Sequence, residues 1–282
     1  MILCAERDCY GANFVFVDDF QVIMKRKIEI EVTCGYGFLR PFVEQLPTGV
    51  EGGRVLCERR NCVRQFVVER AVVVVKQFVR PNMLNRLIYA TLRRSKAART
   101  MLIGRRLLQK GIETPLPLAY VDTYDQFGCY DIGYSVTLYN ESMELNGWRT
   151  LPREEQRRLV ADLAEFTARM HRVGFVHHDY HEGNIFYRQA NDGSYRFSVV
   201  DINRGRFGCV LRWRCVKDLI LFGFDQELMS LFVSRYAELM GWCAERMVRS
   251  VLRRHKMRVF DRDRVRPFIK QLLGVKPYGA RI

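Results

Sequence analysis

No apolar run in this sequence approaches the roughly 18 consecutive residues that a membrane-crossing helix needs, so no span is expected. The N-terminus lacks the apolar core of a secretory leader, because Glu6, Asp8, Asp18 and Asp19 interrupt it. None of the nine cysteines stands in a C-x-x-C pair, which argues against structural zinc and dithiol redox chemistry. Their odd number and scatter read as reduced thiols in a cytoplasmic protein. Repeats, low-complexity tracts and a clear G-x-G-x-x-G loop are also missing. Carboxylates are scarce: 46 Lys and Arg face 31 Asp and Glu, a net +15. From Arg70 to Ile112 there is no acid at all among eleven cations, Arg93, Arg94, Arg99, Arg105 and Arg106 included. Such a surface suits an anionic partner. It lacks the basic-aromatic motif of nucleic-acid modules, so nucleic acid is not expected.

What is present is a spacing. Val176-His177-His178-Asp179-Tyr180-His181-Glu182-Gly183-Asn184-Ile185-Phe186 is followed by Val199-Val200-Asp201-Ile202-Asn203. The pattern H-x-D-x-x-x-x-N and then a second Asp is that of a phosphoryl-transfer centre. Such transfer depends on positioning and on neutralising oxygen charge, and Mg²⁺ takes hard oxygen ligands. Asp179 therefore reads as the group that orients the acceptor hydroxyl and takes its proton. Asn184 and Asp201 read as ligands of Mg²⁺ carrying ATP, with His177 in support. Short apolar flanks, joined by a turn at Asn191-Asp192-Gly193-Ser194, predict strands that hold these groups rigidly.

Around this centre the chain divides into a small β-rich part and a larger helical part. Residues 1–23 read as an upstream extension before Met24. Residues 24–140 form the expected N-lobe, with a short helix over 38–45, a hairpin of Val63–Val68 and Ala71–Phe78, a helix from Ser95 to Lys110 stopped by Gly111, a connection at Pro115 and Pro117, and a strand over 134–139. Val72 to Val75 are too β-branched for a comfortable helix. This order puts Lys76, at the end of a valine-rich strand, in the position of a phosphate-contacting lysine. Residues 141–282 form the expected C-lobe. Its first long helix starts near Pro152 and keeps Leu159, Val160, Leu163, Phe166, Met170 and Val173 at helical spacing. His171 on that helix reads as a packed or capping residue rather than a ligand. Further helices are expected over 211–222, 225–240 and 243–257. The fold class is α+β, protein-kinase-like and two-lobed.

The stretches Arg94-Ser95-Lys96-Ala97 through Gly111 to Tyr120, His178 to Asn184, and Tyr195 to Arg204 resemble the lipopolysaccharide kinase family. These are kinase-fold enzymes that phosphorylate Kdo or heptose in the lipopolysaccharide inner core. The resemblance implies ATP and Mg²⁺ as cofactors, with Lys76 on the ATP phosphates, Asp179 on the sugar hydroxyl, Asn184 and Asp201 on the metal, and Asp218 steadying the catalytic loop. It implies a lipopolysaccharide precursor as acceptor and peripheral contact with the anionic inner face of the inner membrane. Three departures stand out. The helix after the lysine has no Glu to pair with it, Leu102 standing where relatives carry one, so Lys76 either finds another carboxylate such as Asp201 or lies unpaired. Gly52-Gly53 is the only candidate for a phosphate loop, since Arg59-Arg60-Asn61 has no Gly. Ile202-Asn203 replaces Phe-Gly, which argues against gating by phosphorylation. A pseudokinase of the same fold, binding nucleotide or anionic glycolipid without transfer, is the alternative.

Overall fold

The computed structural model describes residues 27–49, 51–58 and 61–265. The expected extension, Met24, Arg59 and Arg60 lie outside these. Six strands form one antiparallel sheet: β1 (Ile28–Val32), β2 (Arg54–Glu58), β3 (Cys62–Val68), β4 (Ala71–Gln77), β5 (Pro117–Tyr124) and β6 (Tyr130–Leu138), in the order β1-β5-β6-β4-β3-β2. The alternation in β4 decides what each face does. Val73 and Val75 are buried with Leu39, Val43 and Leu46 from helix α1 (Arg40–Gln45) and the turns on either side of it. Lys76 therefore belongs to the opposite face, on one rung with Val63, Ser135 and Tyr120. Helix α3 (Lys96–Gln109) packs on that face, where Ala97, Ala98 and Met101 cluster with Phe78 and Tyr120. Ser95 caps α3 by accepting the Ala98 N–H at 2.9 Å, and Gly111 ends it at φ +72°.

Two elements of this region differ from the expectation. Pro117 opens β5 rather than marking a loop, paired at its margin with Thr137, a place where a strand tolerates the missing N–H. A further helix, α2 (Met83–Thr91), lies between β4 and α3, capped by Asn82. It inverts the usual pattern: Arg86 is its buried side chain while Met83, Leu84 and Leu87 are exposed. A period search that places leucines inward passes over such a helix.

The helical part has a separate, larger core. Helix α4 (Arg153–Arg172) buries Leu159, Val160, Leu163, Phe166 and Met170 at the predicted spacing. It packs against α6 (Gln226–Leu239), which packs against α7 (Ala244–Phe260). Helix α5 (Arg212–Leu219) lies under the loop after α4. Two short ladders frame that loop. Strands β8 (Phe175–Val176) and β11 (Arg206–Phe207) pair with each other. Strands β9 (Ile185–Gln189) and β10 (Tyr195–Val199) form a hairpin, with β7 (Met143–Glu144) on the outer side of β9. No helix among the described residues is long and apolar enough to cross a membrane.

Candidate active site

The two ladders bring residues far apart in the sequence to one point. β8 leads into His177-His178-Asp179 and pairs with β11, which follows Asp201 to Gly205. The hairpin brings Asn184, just before β9, next to Val200, just after β10, through a Val200 N–H to Asn184 carbonyl bond of 3.0 Å. Segment 113–114, after α3, fastens β10 to the sheet side. Val199 donates to the Glu113 carbonyl at 3.0 Å and Thr114 Oγ1 donates to the Val199 carbonyl at 2.7 Å.

Within this frame Lys76 Nζ lies 2.7 Å from Asp201 Oδ1. The sheet's lysine thus finds its carboxylate on the helical side, and α3 supplies none. Burial pushes the Asp201 carboxyl upward, but the charge and hydrogen bond of Lys76 outweigh it and hold the group below the usual range. Asn203 Nδ2 also donates to Asp201. Asp201 sits at φ +53° and His178 at φ +65°. Left-handed backbone at non-glycine positions costs on the order of 1–3 kcal/mol each and concentrates at functional sites.

The loop is held from beneath by Asp218, which is fully buried. Its carboxylate accepts the N–H of His177 at 2.9 Å and of His178 at 3.0 Å, and lies 3.5 Å from His171 Nε2. His177 is also fully buried, which keeps its ring below its usual pKa. Because the Val200 carbonyl only accepts, Nε2, 2.9 Å away, carries the ring proton. Nδ1 is left bare, without a partner. Asn184 Nδ2 donates to the Asp179 carbonyl at 2.9 Å, which leaves its amide oxygen as the available acceptor.

Several residues that spacing alone did not single out complete the arrangement. Arg204 Nη1 lies 3.1 Å from Asp179 Oδ2. Glu182 accepts from Trp148 Nε1 at 2.9 Å and the Gly223 N–H at 3.1 Å, clamping the loop to the segment before α4 and to the one between α5 and α6. Tyr180 is buried with its hydroxyl 2.9 Å from Thr167 Oγ1. Arg204 and Glu182 stand inside the motif segments, but nothing in their spacing tells what they face. Gly52-Gly53 lies elsewhere than a phosphate loop would: Gly53 packs on Gln65 and Phe66 before β2 begins. Lys76 lies beside the opposite end of β2 and β3, paired with Val63.

The model of the lipopolysaccharide kinase (Kdo/WaaP) family matches residues 57–235, more than half of the chain. The chain belongs to this family. The matched region contains Lys76, Asp179, Asn184, Asp201 and Asp218. The fold is similar to that of WaaP solved in complex with acyl carrier protein, with a TM-score of 0.53 and 19% identity, over 79% of this chain and 99% of that one. At that identity the likeness is one of fold. A search of curated proteins found no match.

Proposed function

We propose that this chain is an ATP-dependent kinase that transfers the γ-phosphoryl group to a sugar hydroxyl, of Kdo or heptose, in the lipopolysaccharide inner core. The observation that carries the reading is the 2.7 Å pair of Lys76 and Asp201, which joins the sheet's lysine to the loop that follows the H-x-D motif. On this reading the sheet part, 24–140, and the helical part, 141–282, act as the two lobes of a protein-kinase-like fold, with the site between them.

The donor set fits a Mg²⁺ ion carrying nucleotide phosphates. Asp201 is held in its carboxylate form and Asn184 has an unused amide oxygen, both hard oxygen donors. Among the described residues no group of three or more His, Cys, Asp or Glu offers a different metal site. When bound, Mg-ATP supplies the phosphoryl group and neutralises charge on its oxygens. Lys76 serves the nucleotide phosphates, and Asp201 holds the lysine in place until they arrive. Asp179, its direction fixed by Arg204, orients the acceptor hydroxyl and receives its proton. Asp218 and His177 keep the loop in its left-handed turn. The acceptor is a lipid-linked precursor, met at the cytoplasmic face of the inner membrane. The assembly of WaaP with acyl carrier protein makes such a carrier a second partner to test.

The decisive experiment incubates purified protein with labelled ATP, Mg²⁺ and lipid A–core acceptor. Label transfer should fall by at least about 10²-fold in Asp179→Ala, the scale of a lost general base, with an unchanged melting temperature. Nucleotide binding without any transfer would instead identify the pseudokinase.

A further inference from the structure

One group of exposed large apolar side chains lies on and around α2. Leu84 is 68% exposed and Leu87 53% on α2, Leu92 85% at its C-terminal end, and Phe127 78% on the turn between β5 and β6. Single exposed leucines need no explanation; a contiguous group does. Arg86 ties the helix to the turn that carries Phe127. It donates to Asp125 at 2.5 Å and to the Tyr130 carbonyl at 2.7 Å, either side of Phe127, and Tyr89 packs edge-on to Tyr130 at 5.4 Å. Burying an arginine to turn leucines outward runs against the usual amphipathic arrangement of a surface helix.

The charge around this patch has one sign. Arg93 and Arg94 follow Leu92 directly and are exposed. The exposed turn's Asp125 is taken up by Arg86, and Asp131 by Arg80 at 2.5 Å. The cations then run on toward the candidate site. Arg99 lies over the Tyr89 ring at 5.9 Å and feels the like charges of Arg93 and Arg206. Arg206 is two residues from Arg204, the partner of Asp179. From Ile202 to Lys217 there is again no acid, among five cations.

We propose that α2, Leu92 and Phe127 form an interfacial wedge that enters the headgroup boundary of an anionic bilayer, with Arg93 and Arg94 on the lipid phosphates. Apolar tips flanked by cations are the chemistry of a monotopic membrane contact. A protein partner would need carboxylates facing these arginines, and becomes an outcome of the test. The wedge sets the mouth of the site against the surface in which a lipid-linked acceptor lies. That last step rests on the phosphotransferase reading; the membrane contact does not.

The test is co-sedimentation of the full chain with vesicles of phosphatidylcholine, with and without phosphatidylglycerol. The parent should bind the anionic vesicles, less so as salt rises. Leu84→Ser with Leu87→Ser, and separately Phe127→Ser, should each lower partitioning about tenfold or more. Val67→Ser, an equally exposed site on β3, should leave it unchanged. Asp179→Ala should bind vesicles as the parent does, so that loss of transfer and loss of docking are separate results. Melting temperatures check that the variants fold. Equal partitioning of the Leu84/Leu87 variant and the parent overturns the wedge. So does a parent that ignores anionic vesicles, including one whose α2 is protected from hydrogen exchange only by an added protein.

Discussion

At the scale of single residues the candidate site is a set of charges held against their own tendencies. Asp201 is the clearest case, since burial and Lys76 act on it in opposite directions. A carboxyl depressed in the folded state stabilises the fold above its unfolded value, and that stability is lost as pH falls through the folded value. Lys76→Met removes the largest opposition to burial, so Asp201 should titrate higher. Acid unfolding should begin at a higher pH, and the acid limb of any kcat/KM profile should move upward. A melting series and a rate series against pH check both. His171 carries the opposite sign. Its complete burial opposes the charged form, but Asp218 and Cys215 prevail and raise the ring to about 9. Its contribution is complete below the ordinary value of about 6.5 and is lost as pH rises through about 9. Melting temperature should therefore decline across that window, and His171→Gln should flatten the decline. His171 is the packed residue that helical spacing suggested; its tie to the loop through Asp218 could not be read from the spacing.

At the scale of elements, the loop after α4 is rigid because neighbours satisfy its backbone and side chains, not because of its own sequence. Glu182 alone accepts from an indole and a backbone N–H from two other segments. Glu182→Ala strands the N–H of Trp148, a residue only 5% exposed. An unpaired buried donor costs about 1–3 kcal/mol, so the variant should unfold at correspondingly lower denaturant, as a urea titration would show. Elements with strong periodicity were legible in the sequence: α4 from its apolar stripe, α3 from Ser95 and Gly111, the β3–β4 hairpin from its valines, and the β9–β10 hairpin from Asn191 to Ser194. Helix α2 and strand β5 were not, for physical reasons. One buries an arginine, and the other begins at a proline that only a strand margin accepts. Gly52-Gly53 misled because a glycine pair signals backbone freedom without saying which rung of the sheet it adjoins.

At the scale of the whole molecule, two apolar cores meet across the Lys76–Asp201 pair and the Glu113–Thr114 tie to β10. A ligand that joins both sides should therefore stabilise the chain as a unit. Mg-ATP at about a hundred times its dissociation constant contributes about 2.7 kcal/mol, which calorimetry would register as a rise in melting temperature. Lys76→Met should remove most of that rise. The exposed network of Arg153 and Arg157 with Asp225 and Glu227, which links α4 to α6, is solvated and contributes little beside it.

The sequence by itself determined the chemistry: the residue types and spacing of Asp179, Asn184 and Asp201, the valine strand that carries Lys76, and the one-sided charge. Those are local properties, set by period, by turn residues and by which side chains can hold a phosphate or a metal. Only the tertiary structure decided which carboxylate Lys76 meets, what Arg204 and Glu182 hold, and that the leucines of α2 face outward. Each of these depends on contacts between segments tens of residues apart, and pairing at that distance is settled by packing and burial.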